Sequence, residues 1–305
     1  MKLLLILWFL LFACKTQRPH SGISVAGGKV SKGSVAVVPL LINSGGELKH
    51  CTGTIIKEHG EILLLTAAHC AYEKNDVVYI ATRRDETLGY GAWKRKMLDK
   101  IRSNSLVEIE EIVVIPNTKV ESEPIGGNPN AKKLEQWVIA NDFALGRIPK
   151  RFYPDYENKA ISIKYDLTPD ELDAAAKAGR VRLIGAGSAS GDGGSESNGI
   201  MRKATLNQAN LKAEVVADNK IIELSPLNPR KVCSAACKGD SGSPLLYDKI
   251  IEKKRIMGIN FDKKETYVIG VLSTGEDGKI SRYASLMNNR FTSFVDIAQK
   301  LSCRL

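Results

Sequence analysis

Cys237-Lys238-Gly239-Asp240-Ser241-Gly242-Ser243-Pro244 surrounds one serine with two glycines and an aspartate. Glycine beside a nucleophile permits the tight backbone that presents a hydroxyl outward. It also lets successive N–H groups converge on a developing oxyanion. A plain turn between two strands has the same composition, so the octapeptide acquires chemical meaning only from its companions. One is Thr66-Ala67-Ala68-His69-Cys70, which follows the apolar run 61–65. Small residues before His69 and a cysteine after it allow a close-packed turn that a disulfide can pin. The other is Asn141-Asp142-Phe143-Ala144-Leu145. A carboxylate among such neighbours is costly to bury unless hydrogen-bonded. Asp142 is therefore either a turn or cap residue or a group that orients an imidazole.

Outward from these motifs the chain reads as many short strands. Apolar runs rich in Val and Ile, such as 35–42, 51–57, 61–68, 76–82, 109–115, 181–187 and 266–273, are broken by Gly, Asn, Lys and Asp. That pattern predicts a barrel or sandwich. Two helices stand out. Thr168-Pro169-Asp170-Glu171 combines an N-cap hydroxyl, Pro at the first helical position and a capping-box Glu, and Gly179 supplies the stop. From about Asn289 onward Phe291, Phe294, Val295, Ala298 and Leu301 share one face. Residues 83–108, 116–135 and 188–199 read as surface loops.

The 305 residues are 43% hydrophobic, enough for a sizeable core. The net charge of +10 is spread along the chain, with its densest clusters at Lys94-Arg95-Lys96 and Lys253-Lys254-Arg255. Neither a basic stripe with interleaved aromatics nor a nucleic-acid-binding module is present, so nucleic acid is not an expected partner. Residues 1–13, one lysine and an unbroken apolar run, are too short for a membrane span and read as an export signal. Leu11-Phe12-Ala13-Cys14 resembles the lipobox of bacterial lipoproteins, with Phe12 the poor fit. Lipidation at Cys14 and ordinary cleavage nearby are both compatible with it, and a lipid there would be the chain's one membrane attachment. Residues 14–24 are polar, a tether or pro-segment. Six cysteines in an exported chain imply at least one disulfide.

In the order His, Asp, Ser, the stretches TAAHC, DFAL and GDSGSP resemble the signatures TAAHC, DIAL and GDSGGP of the trypsin/chymotrypsin family, across about residues 25–302. Within the last motif the one departure is Ser243 for Gly. The resemblance implies an all-β fold of two six-stranded antiparallel β-barrels with a C-terminal helix. The first barrel would span about 25–155, the second about 156–288, and the helix about 289–302. It implies a secreted or surface-attached serine endopeptidase acting on polypeptides, with a triad of His69, Asp142 and Ser241, an oxyanion hole at the N–H groups of Gly239 and Ser241, and no metal or organic cofactor. Cys51-Thr52-Gly53-Thr54 resembles the family strand that supplies a disulfide partner, hence Cys51–Cys70. Cys237 has no counterpart at its usual place, which leaves Cys233 and Cys303 open as partners. Gly185-Ala186-Gly187 stands where the family has Gly-Trp-Gly, and Ser273-Thr274-Gly275 where it has Ser-Trp-Gly.

Counting back from Ser241 puts Ala235 at the base of the specificity pocket, with Ser273, Gly275 and Ser281 along its walls. Trypsin-like cleavage after Lys or Arg would need an Asp at the base, so the expectation is a neutral pocket. Activation in the family frees an N-terminus whose ammonium pairs with the Asp before the nucleophile. Here Val25 and Asp240 would be that pair, although Ser24 rather than a basic residue precedes the cut. An activating protease or a protein inhibitor would then be further partners. A catalytically silent binding homologue and an esterase of the same fold are the competing functions.

Overall fold

The computed structural model describes residues 29–30, 36–71, 76–85, 87–114, 129–187, 199–209, 211–227, 239–256, 259–276, 280–287, 291 and 296. Outside them lie residues 1–28, which include the expected export signal, Cys14 and Val25, as well as Ala235, Cys233, Cys237, Cys303 and most of the predicted C-terminal helix. Among the described residues no helix is long and apolar enough to cross a membrane.

The Val- and Ile-rich runs pair into two curled antiparallel sheets. The chain enters through β1 (Lys29–Val30). It then builds β2 (Val37–Ser44), β3 (Glu47–Glu58), β4 (Glu61–Thr66), β5 (Val77–Ile80), β6 (Val107–Glu108), β7 (Glu111–Val114) and β8 (Ala144–Arg147). The last seven form the first sheet, in the order β6-β5-β2-β3-β4-β8-β7. The second half contributes β9 (Ser162–Ile163), β10 (Val181–Gly185), β11 (Arg202–Thr205), β12 (Leu211–Val216), β13 (Ile221–Pro226), β14 (Pro244–Ile256), β15 (Ile259–Glu276) and β16 (Ile280–Ser285). Together with β1 these give the second sheet, β1-β11-β10-β14-β15-β16-β13-β12, with β9 parallel to β15. The all-β expectation of two antiparallel half-barrels holds. The sheets carry seven and nine strands among the described residues rather than six each, because two-residue pairings such as β1, β6 and β9 add to the long strands.

One apolar core runs through both halves, joining Ile55, Leu64 and Leu145 of the first sheet to Ile184, Leu246 and Val268 of the second, with Phe291 packed against Phe143 at 4.8 Å between ring centroids. The outer part of the β14–β15 ribbon leaves this core. From Lys249 to Ile256 its strand partners among the described residues are those of β15 alone.

Among the described residues, α-helices accompany the sheets: α1 (Tyr90–Arg102), α2 (Pro129–Asn141), α3 (Tyr153–Tyr156) and α4 (Pro169–Lys177). The predicted capping box starts α4: Glu171 N–H donates to Thr168 Oγ1 at 3.2 Å, and Thr168 N–H donates to Glu171 Oε2 at 2.9 Å. Two stretches expected as loops are helical. In 83–108, Trp93 and Met97, one helical turn apart, are both buried and pin α1 to the first sheet. The turn-rich stretch 116–135 runs into α2, where Ile139 and Ala140 pack on Ile221 of the second sheet. Helices 13 residues long owe their stability to such packing rather than to propensity.

A disulfide joins Cys51 on β3 to Cys70 across a sequence separation of 19 residues. It restrains the unfolded chain most, and the double variant Cys51→Ala/Cys70→Ala is expected to lose about 3 kcal/mol of unfolding free energy. Urea denaturation reads this directly, and a loss under about 1 kcal/mol would show that loop closure is not the bond's contribution.

Candidate functional site

Strand register brings the histidine to the aspartate. β4 and β8 are neighbours with Thr66 opposite Ala144. His69 lies three residues beyond Thr66 and Asp142 two before Ala144, so both leave the sheet at the same end. A single 3-10 turn, Ala68–Cys70, then swings the imidazole round. His69 Nδ1 and Asp142 Oδ2 are 2.7 Å apart, and the His69 backbone N–H donates to Asp142 Oδ1 at 2.9 Å. A third donor comes from the other half of the molecule, the Ser273 hydroxyl, 2.6 Å from Asp142 Oδ2. Three donors satisfy a carboxylate that is only 4% exposed. They also fix the ring, because Nδ1–H donating to Asp142 leaves Nε2 as the basic nitrogen.

Desolvation alone would lower the His69 pKa, but the Asp142 hydrogen bond and charge outweigh it, and the net direction is upward. The His69 side chain keeps about a third of its surface, 35%, open to solvent, so a substrate can reach it.

Ser241 sits in a turn clipped to both sheets. On one side its carbonyl accepts the Thr52 N–H at 2.8 Å and lies 3.8 Å from Cys70 Sγ, the residue after His69. On the other, Gly242 N–H donates to Leu272 O and Leu272 N–H to Ser243 O, both at 2.8 Å. Leu272 precedes Ser273, so the serine turn and the hydroxyl on Asp142 hang from neighbouring points of β15. Gly242 has no substitute here. Its φ is +83°, and a Cβ would stand 2.2 Å from Thr52 O and 2.9 Å from Ala67 N. The turn is thus seated directly on the segment that leads to His69.

The Asp240 carboxylate faces the Gly185–Gly187 stretch. It is buried, and Oδ1 accepts the Gly187 N–H at 2.7 Å. A Cβ on Gly185 or Gly187 would fall 2.1 Å from Asp240 Oδ1 or 2.5 Å from Asp240 N, so this carboxylate needs glycine on both sides of Ala186. Burial first, then the Asp240 charge, pushes the Tyr283 hydroxyl far above its ordinary pKa. Ser243 finds a use as well: its N–H donates to Asp240 O at 2.8 Å and its buried hydroxyl donates to the same oxygen at 2.5 Å.

Of the expected pocket residues, Ser273 is on Asp142, and Gly275 pairs with Ser281 across β15 and β16. Ala235 and Val25 lie outside the described residues. One residue that sequence reasoning passed over is Thr52, which is fully buried and touches the serine turn, the segment before His69 and the Gly185–Gly187 stretch. Its place next to Cys51 was the one available signal.

Compared with known proteins, the chain matches the family model described as Trypsin over residues 24–298. No curated protein sequence gives a significant match. Among solved structures the chain is similar to the scabies mite inactivated protease paralogue S-D1, at 15% identity and TM-score 0.51, covering 90% of this chain and 97% of that one. It is similar also to a Glu endopeptidase at 15% identity and TM-score 0.49, covering 90% and 97% of the two chains. The protease Anisep from Arthrobacter nicotinovorans follows at 10% identity and TM-score 0.49, covering 87% and 96%. At this identity the likeness to the S-D1 paralogue concerns the fold alone.

Proposed function

The chain belongs to the trypsin family, and from that premise we propose that it is a serine endopeptidase with His69, Asp142 and Ser241 as its catalytic triad. The observation that carries the reading is the Asp142 carboxylate, which takes both N–H groups of His69 and a hydroxyl from the opposite sheet. A mere turn or cap aspartate has no need of that convergence. In the mechanism, Ser241 Oγ bonds to the carbon of a peptide carbonyl while its proton passes to His69 Nε2. The carbonyl electron pair moves onto oxygen, where the N–H groups of Gly239 and Ser241 receive it. Collapse breaks the C–N bond, and the amine leaves with the proton from Nε2. Water then repeats the sequence on the acyl-enzyme, releasing the acid and restoring Ser241.

Ala235 at the pocket base, with Ser273, Gly275 and Ser281 on its walls, makes a neutral pocket for apolar or medium-sized side chains. Activation rests on cleavage before Val25 and an ion pair from the new ammonium to Asp240. The chain is exported, with Cys14 the residue that would carry a lipid.

The test is intact-mass analysis of the exported protein after incubation with a fluorophosphonate. The expected result is one adduct, mapped to Ser241, on a chain that begins at Val25. A chain that begins there and takes no adduct would refute the peptidase reading in favour of a silent binding homologue. An unreactive chain that still begins at Cys14 would place the protein in a latent form awaiting a second protease.

A further inference from the structure

Between the two proposed oxyanion donors, the N–H groups of Gly239 and Ser241, lies the Gly239–Asp240 peptide unit. Gly239 has φ +93° and no side chain to restrain it, so rotation of that unit is opposed chiefly by whatever holds its carbonyl. The holder is on the other sheet. Thr52 Oγ1 donates to Gly239 O at 3.1 Å, across 187 positions of sequence, and accepts the Ala186 N–H at 3.2 Å. The same residue's N–H donates to Ser241 O at 2.8 Å, and its carbonyl accepts the Thr66 hydroxyl at 2.8 Å. The carbonyls of Gly239 and Ser241 are thus both fastened to one residue with no exposed surface. A hydroxyl offers one proton and lone pairs, and here both capacities are engaged. Valine would match the shape of Thr52 and supply neither.

We propose that Thr52 is a positioning residue for the oxyanion site, holding the Gly239–Asp240 peptide so that the Gly239 and Ser241 N–H groups converge. The inference rests on the peptidase reading above. It assigns to the first sheet a part in transition-state stabilisation that the triad does not cover. Because the carbonyl-holding bond acts on the oxyanion rather than on ground-state contacts, its loss falls on kcat and spares KM.

The test compares Thr52→Val, Thr52→Ser and Thr52→Ala with the processed wild type on a peptide ester, and measures inhibition by the corresponding peptide aldehyde, whose tetrahedral adduct places an oxygen in the same site. Thr54→Val serves as control, since the Thr54 hydroxyl is buried two residues along the same strand and has no hydrogen-bond partner among the described residues. Thr52→Val is expected to lower kcat about 10- to 100-fold. KM should stay within about twofold, and the aldehyde Ki should rise by the factor lost from kcat. Thr52→Ser should recover most of the loss, and Thr54→Val should behave as wild type. Should Thr52→Val not fold, the Ser and Ala variants, which differ by the hydroxyl alone, carry the comparison. Equal kcat in those two, or a Thr52→Val loss confined to KM, would overturn the assignment. A wild type that forms no Ser241 adduct would instead overturn the peptidase reading and leave the Thr52 hydrogen bonds as structure only.

Discussion

Ser241→Ala lowers kcat by about six orders of magnitude, abolishes the fluorophosphonate adduct and leaves the fold intact. The size follows from what the hydroxyl does in the proposed cycle. Without it no acyl-enzyme forms, and His69 has no proton to take. The turn itself does not depend on that oxygen, because it is held through the backbone of Thr52, Gly242, Ser243 and Leu272. The side chain is partly exposed, so its removal strands no buried partner, and the change in stability is expected within about 0.5 kcal/mol. Peptide hydrolysis together with a thermal melt checks both halves. Retention of more than a trace of hydrolysis, on a protein that melts normally, would mean that another group attacks the substrate.

Asp142→Asn is expected to cost about 10⁴-fold in kcat. The asparagine amide presents N–H to His69 Nδ1, so the ring carries its proton on Nε2 and cannot accept one from Ser241. The remaining activity should also change its pH dependence. Burial draws the His69 pKa down, while the Asp142 hydrogen bond and charge draw it up and prevail. With the carboxylate gone, burial acts unopposed and the pKa falls. Catalysis needs neutral His69, so the acidic limb of kcat/KM moves to lower pH in the variant. A limb that stays in place or moves upward would show that the carboxylate does not set the charge state of the ring.

The three motifs were legible because their chemistry is local. Glycines beside Ser241, small residues before His69 and apolar neighbours around Asp142 each announce a constrained backbone. The seating of the turn was not local. Nothing near Ser241 says that Thr52 will hold it, since that contact arises only when the two sheets close on each other, whereas Leu272 holds it by extending the β14–β15 pairing one rung beyond Pro244. The two helices read as loops were missed for another reason. In α1 the buried Trp93 and Met97 alternate with Lys94, Arg95, Lys96 and Asp99, and the charges hid an apolar stripe four residues apart. In α2 the proline at the start reads as a turn unless the helix beyond it is already suspected. Ser273 was placed on a pocket wall, and its bond to Asp142 depends on a bulge between Leu272 and Thr274 that no composition reveals.

The β14–β15 ribbon has a practical consequence. At its root, Pro244 is three residues from Ser241, while Ile256 pairs with Ile259 at the far end. Twelve strand steps separate the two ends of β14, a span of about 40 Å. An insertion between Ile256 and Ile259 therefore adds mass far from the hydroxyl, on strands that leave the shared core before they reach the tip. A fluorescent reporter or a surface linker grafted there would give an immobilised or traceable form of the protein whose chemistry can be followed undisturbed.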